Sequence, residues 1–163
     1  MPRAEAAGRV AGEAGVTYLE LVATATILVI LASAIMPMAR VTFTRHREIE
    51  LRRALREIRR AIDGYKASVD QGLIGGTDVK LGSEGYPPDL ETLVKGVNRV
   101  GALDRKLKFL RRIPVDPMTH NAEWGMRCYQ DDPDDTSWCG QNVWDVYSKS
   151  SGKGLDGTPY NTW

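Results

Sequence analysis

Apolar residues follow two different patterns along this chain, and the patterns meet near Arg40. From Leu21 to Ala39, nineteen consecutive positions carry no formal charge. At roughly 1.5 Å per residue they make about 28 Å of helix, close to the thickness of a bilayer core. Beyond Arg40 the pattern becomes periodic. Leu51, Leu55, Ile58, Ile62, Tyr65 and Val69 are spaced by four, three, four, three and four positions, which marks one face of an amphipathic helix. Arg52, Arg53, Arg56, Glu57, Arg59 and Arg60 fill the other face. The simplest joining predicts one helix from residue 17 to residue 70, about 80 Å long. A coiled-coil partner would use the same apolar stripe that a sheet would cover.

The rest of the chain has a different texture. Residues 72–85 are rich in glycine and read as loop. A short helix is expected over 88–94, then strands over 108–113, 124–129 and 142–147. Turns at Pro114, Asp116-Pro117 and Asp132-Pro133 separate them. Three strands cannot bury both faces alone, so the sheet should lie on the helix stripe. The fold class is therefore α+β: a long N-terminal helix packed on a small antiparallel head.

Charge changes this picture in its distribution more than in its total. The chain has 22 basic and 21 acidic side chains, a net charge of +1, which argues against a dedicated nucleic-acid binder. Residues 40–66 hold nine basic and four acidic side chains, whereas residues 131–145 hold five acids and no base. The apolar run is a transmembrane candidate. A cleaved secretory signal would have a shorter apolar core and a small-residue cut site, which Ala32-Ser33-Ala34 matches loosely. Arg40, Arg45, Arg47, Arg52 and Arg53 follow the run, while Arg3 and Arg9 precede it among Glu5 and Glu13; taken alone, that asymmetry favours a cytoplasmic C-terminal part. Cys128 and Cys139 lie eleven positions apart with no CxxC or zinc spacing. In an exported domain they would close a ring worth roughly 3 kcal/mol in the chain-entropy model; in a reducing compartment they are two free thiols.

The stretch GVTYLELVATATILVILASAIMP, Gly15 to Pro37, resembles the N-terminus of the type IV pilin and pseudopilin superfamily. That pattern has a short leader ending in glycine, a glutamate fifth in the mature chain, and a proline near its twenty-second residue. With a cut after Gly15, Val16 becomes first, Glu20 fifth and Pro37 twenty-second; Val16 stands where phenylalanine or methionine is usual. Further on, YPPDLETLV (Tyr86 to Val94), IPVDP (Ile113 to Pro117), VWDVYS (Val143 to Ser148) and GLDGTPYNTW (Gly154 to Trp163) resemble the head of the major, G-type pseudopilin of type II secretion. The insertion between Cys128 and Cys139 departs from the simplest members.

The resemblance implies four parts: a prepilin leader (1–15), a transmembrane or filament-core helix (16–39), an amphipathic stem (40–71) and a globular head (72–163). It implies cleavage by a membrane-embedded prepilin peptidase and N-methylation at Val16. It also implies a homo-oligomeric filament with minor pseudopilins, raised by an inner-membrane platform with an ATPase. The protein would sit in the bacterial inner membrane as a single-pass chain with a periplasmic head, against the charge asymmetry noted above. A type IV pilin or minor pilin of a surface fibre or DNA-uptake system is the alternative. A single-pass enzyme or binding module would instead keep its first fifteen residues.

Physical reasons accompany these positions. Glycine has no Cβ, so the backbone at Gly15 can be extended and closely approached. A carboxylate in lipid needs an opposite charge, and the ammonium freed at Val16, on a neighbouring subunit, would supply it to Glu20. The plainer reading has Glu20 snorkelling at the helix end. Pro37 removes one helical hydrogen bond and should kink or locally melt the helix.

In the resembled family the last loop binds calcium, and Asp156 and Ser148 occupy candidate ligand positions here; the plainer reading has Asp156 capping backbone amides in a glycine turn. Calcium takes about six to eight oxygens. The run Asp131, Asp132, Asp134, Asp135 lacks an EF-hand's glycine and glutamate and reads as a solvated turn; the alternative is contact with a basic stem on another subunit. Residues 152–157 match GxGxxG by letter, but only six residues follow, too few for a dinucleotide-binding helix. His46 and His120 are isolated, no HExxH or GxSxG occurs, and Trp124, Trp138, Trp144 and Trp163 are expected in the core or in filament contacts. The expectation is a structural subunit and not an enzyme.

Overall fold

The computed structural model describes residues 15–76, 79–132 and 135–163, and for residues 34–37 and 102–104 the backbone alone. The expected leader, residues 1–15, lies outside them except for Gly15, as does Asp134. Helix α1 runs from Tyr18 to Asp70, one residue later than the sequence predicts at its start. Its first turn is capped by Thr17, whose Oγ1 accepts the Glu20 amide at 3.3 Å. Pro37 does not end α1, so the expected local melting does not interrupt it. One missing N–H removes one bond and leaves the flanking ones in place. The chain divides into two units, Met1–Arg40 and Val41–Trp163.

In the second unit, Leu51, Ala54, Leu55, Ile58, Ala61, Ile62 and Tyr65 are buried, and Val69 is partly buried against them. This is the predicted stripe. Its cover comprises Leu90, Leu93, Val97, Leu110, Trp124, Val143, Val146 and Tyr160. Helix α2 (Leu90–Lys95) starts at Asp89, whose Oδ1 accepts from the Thr92 amide at 2.7 Å and the Thr92 hydroxyl at 2.8 Å. It stops at Gly96, which has φ of 79° and sits where a Cβ would lie 2.7 Å from the Leu107 carbonyl oxygen, so only glycine fits.

The sheet differs from the expected one. Two separate antiparallel pairs form: β1 (Val97–Arg99) with β2 (Ala102–Leu107), and β3 (Trp124–Arg127) with β4 (Asp145–Ser148). Residues 108–113 are not a strand. The Phe109 and Leu110 amides both donate to the Leu93 carbonyl at 3.0 Å, so this segment ties to α2 and lowers Leu110 into the core. β3 ends at Arg127 because the next amide, Cys128, turns to the Asp131 carboxylate at 2.7 Å. β4 begins three residues later than predicted, since the Val143 amide donates to the Pro87 carbonyl at 2.8 Å instead of a strand. Gly125 lies opposite Tyr147, and a Cβ there would fall 2.2 Å from the tyrosine ring. The missing side chain lets Tyr147 fold across β3 beneath the Arg127 guanidinium, 4.3 Å from its ring. The loop after α1 is not all surface, as Ile74 and Ser83 are buried.

Candidate functional site

At the expected processing position, Gly15 and Val16 precede α1 in exposed, non-helical chain, and a Cβ on Gly15 would meet nothing within 4 Å. Glu20 lies in the first turn, where the positive end of the helix dipole favours a carboxylate. Thr17 and Glu20 together have the T-x-x-E spacing of a capping box. The Thr17 half of that box is formed; the sequence reading missed this cap, although the spacing alone signals it. Beyond it the apolar side chains stand open: Leu21, Ile27, Leu28, Val29, Ile30 and Leu31 are each more than half exposed. Among the described residues this one helix is long and apolar enough to cross a membrane.

The head presents a second constellation, in which α1 grips the C-terminal loop. Glu48 Oε1 accepts the Leu155 amide at 2.7 Å and the Tyr160 hydroxyl at 3.2 Å. Arg52 places its guanidinium 4.2 Å from the Trp163 ring centre and 3.7 Å from Asp156 Oδ2. Arg59 reaches furthest. Its Nε and Nη2 donate to the two Asp145 oxygens at 2.6 and 3.1 Å, and Nη2 also reaches the backbone oxygens of Val146 and Trp163 at 3.2 and 2.9 Å. Glu48, Arg52 and Arg59 recur at helical spacing, four and seven positions apart, so one face of α1 carries all three. Burial pushes the Tyr160 hydroxyl above its ordinary pKa, and the Glu48 carboxylate adds to the effect. The Thr158 hydroxyl and then the Thr158 amide, donating to its carboxylate, hold Asp156 below its ordinary value; Arg52 adds to this.

These partners decide how far Asp156 and Ser148 fit a calcium ion. Asp156 Oδ1 accepts both Thr158 groups, at 2.9 and 2.6 Å, and Oδ2 faces Arg52. Ser148 is fully buried and donates at 2.6 Å to Asp116, another fully buried side chain. The two residues are engaged with different partners, and the carboxylate of Glu48 lies near that of Asp156: a Cβ on Gly154 would lie 2.8 Å from Asp156 Oδ1 and 3.4 Å from Glu48 Oε1. A cage of about six to eight oxygens would have to take the Asp156 carboxylate from the Thr158 donors and Arg52 that it faces here. The contacts around Asp156 are those of the capping turn.

Cys128 and Cys139 are joined as a disulfide. Asp131 lies beside both sulfurs, but bonded sulfurs offer no thiolate to a metal. Of the tryptophans, Trp124 is buried with its indole N–H on the Pro114 carbonyl at 2.9 Å. Trp138 and Trp144 are over a third exposed, and Trp163 packs edge-on to Tyr160. His46 faces Glu50 at 3.7 Å on the exposed helix, and His120 lies in a turn with φ of 59°. The 152–157 glycines belong to a tight loop bridged between Lys153 and Pro159, not to a strand–helix junction. Compared with known proteins, the chain matches no family model, no curated protein and no solved structure.

Proposed function

We propose that this chain is a pilin-like structural subunit, closest to a major pseudopilin of type II secretion. It is made as a prepilin, cut after Gly15, methylated at Val16, and assembled by its apolar helix into a periplasmic filament. The observation that carries this reading is one helix with two surfaces. Residues 18–33 leave their apolar side chains open, and the stripe after Arg40 is covered by the chain's own head. An apolar surface open on all sides needs lipid or other helices around it, and a filament core offers the second.

Function in this reading is assembly, without catalysis. The prepilin peptidase would act on the open chain at Gly15 and Val16. Glu20 would take the Val16 ammonium of a neighbouring copy as its counter-charge. The assembly platform and its ATPase would draw each copy from the inner membrane. The Cys128–Cys139 bond supports an exported head, because disulfides persist in oxidising compartments, and it outweighs the basic residues after the apolar run. The same stapled insertion favours one second reading, a type IV pilin or minor pilin, since it departs from the simplest G-type heads.

Intact-mass analysis of the membrane form tests the proposal. Loss of fifteen residues and gain of one methyl group is the expected result. A chain keeping its first fifteen residues, with no self-association, would mean a membrane-anchored module of another class.

A further inference from the structure

A groove of about 720 Å³ runs beside α1, lined by Arg53, Arg56, Glu57, Arg60, Ala61 and Phe109. Arg53, Arg56 and Arg60 are exposed and stand three and four positions apart, so their charges share one face and repel. Glu57 offsets one of the three. None of these arginines has an ion-pair partner among the described residues, whose pairs involve other side chains. The chain beside Phe109 adds charge of the same sign: Arg105, Lys106, Lys108, Arg111 and Arg112 are all exposed.

The complementary surface is the loop stapled by Cys128 and Cys139. Asp131 fixes its own position by accepting the Cys128 amide. Asp135 accepts the Ser137 amide at 3.1 Å and hydroxyl at 2.8 Å, and those bonds hold it below its ordinary pKa. Asp132 is exposed and makes no side-chain hydrogen bond among the described residues. Asp131 and Asp132 have no ion-pair partner among the described residues, whereas Asp135 lies near Arg127, whose Nε donates to its backbone oxygen at 3.1 Å and whose charge helps to hold it below its ordinary pKa. One chain thus carries a basic groove without ion-pair partners among the described residues and an acidic loop stapled by a disulfide. Two different, mutually complementary patches on one chain are what a heterologous, head-to-tail contact requires, and such contacts propagate into filaments.

We propose that the Arg53–Arg56–Arg60 groove docks the acidic loop of a second copy of this chain. The proposal rests on the filament reading and names a contact within it. Guanidinium forks suit carboxylates, and Phe109 and Ala61 give the groove an apolar floor. Rim charges of this kind set register and association rate, and they weaken with salt.

The test uses the full-length chain in its native membrane. In an R56K variant, a carbodiimide should couple the new amine to Asp131, Asp132 or Asp135 of another copy, read by mass spectrometry of the cross-linked peptide. Arg56→Asp and Asp132→Arg should each lower the yield of oligomer by about fivefold at physiological salt, and the double swap should restore it to within about twofold. Single reversals that assemble normally, or a double swap no better than either alone, would overturn the docking while leaving filament assembly intact. Capture of the chain by phosphatidylglycerol vesicles, lost in Arg56→Asp with oligomer yield unchanged, would overturn it in favour of a lipid surface. An uncut leader with no copy-to-copy cross-link would sink the filament reading, and this contact with it.

Discussion

Replacing Arg59 with methionine keeps the aliphatic reach of the side chain and removes its fork. The structure sets the size of the effect. Four hydrogen bonds disappear: two to Asp145, one to the Val146 carbonyl and one to the Trp163 backbone oxygen. The side chain is 37% exposed and Asp145 19%, so the pair lies between two regimes. Exposed pairs contribute about 0–1 kcal/mol, whereas breaking a buried pair costs about 3–5 kcal/mol. Asp145 also keeps a weaker neighbour, Arg127 Nη1 at 3.9 Å, which limits the loss. An intermediate cost of about 2–3 kcal/mol follows. For a unit of this size that corresponds to a fall in Tm of roughly 8–12 °C.

Denaturant unfolding of wild type, Arg59→Met, Asp145→Asn and the double variant closes a thermodynamic cycle. The pair predicts a coupling of about 1–2 kcal/mol, since each single change strands the other group. Additive changes, or an Arg59→Met loss under about 0.5 kcal/mol, would show that solvent already screens the fork and that the head is held to the stem by apolar contact alone.

Four further outcomes follow from the same geometry. The C-terminal loop should hold to α1 only within a pH window. Asp156 is held below its ordinary pKa, so its contribution is present above the unfolded value and is lost as pH falls through the lowered one. Tyr160 is raised, so its contribution is present below the ordinary tyrosine value and is lost as pH climbs through the raised one. Amide exchange at Leu155 and Thr158 across both limits reads this. Glu48→Gln should bring the Tyr160 titration back toward its ordinary value, followed by tyrosine absorbance; an unchanged midpoint would leave burial and the Asp156 charge as the causes. Millimolar calcium should leave the head's Tm unchanged, and a rise would mean that the Asp156 turn opens to form a cage. Glu20→Leu should leave membrane insertion intact and disturb filament order or stoichiometry; normal filaments would remove the charge-pairing role.

Much of this was legible in the residues because helical periodicity is local. The stripe from Leu51 to Tyr65 needed only its spacing to be read, and every member of it is buried. The strands were harder. Val97–Arg99 and Ala102–Leu107 pair across a Val100-Gly101 turn, but Asn98, Arg99, Arg105 and Lys106 mask the alternation that marks a half-buried strand. The segment 108–113 has strand-like residues yet bonds to Leu93, a choice made by distant backbone and invisible in composition. The grip of Glu48 and Arg59 on the C-terminal loop spans 107 and 104 positions respectively. On a helix dense with charge, nothing local distinguishes these two from solvated neighbours such as Arg53.

The two halves of α1 also explain why one acid can matter among so many apolar groups. Leu21, Val22, Ile27, Leu28, Val29, Ile30 and Leu31 are between 43% and 68% exposed. Covering what is open on those seven side chains is worth about 10 kcal/mol, from about 1.5–3 kcal/mol for each fully buried one. That rivals the whole stability of an ordinary domain, about 5–15 kcal/mol. It also exceeds the roughly 2.5–3.5 kcal/mol that an acid costs at mid-membrane on insertion scales, a cost that shrinks toward a helix end. Glu20 therefore cannot keep the helix out of a bilayer. Lipid tails and neighbouring helices, however, cover apolar side chains about equally well. On the filament reading, the large hydrophobic contribution would nearly cancel between membrane and filament, and the small charged one would decide. In lipid the Glu20 carboxylate would have only the positive end of its own helix, while beside another copy it would meet the ammonium that cleavage would free at Val16. On the filament reading, the acid acts as a switch between two apolar environments because it is the group that the two treat differently.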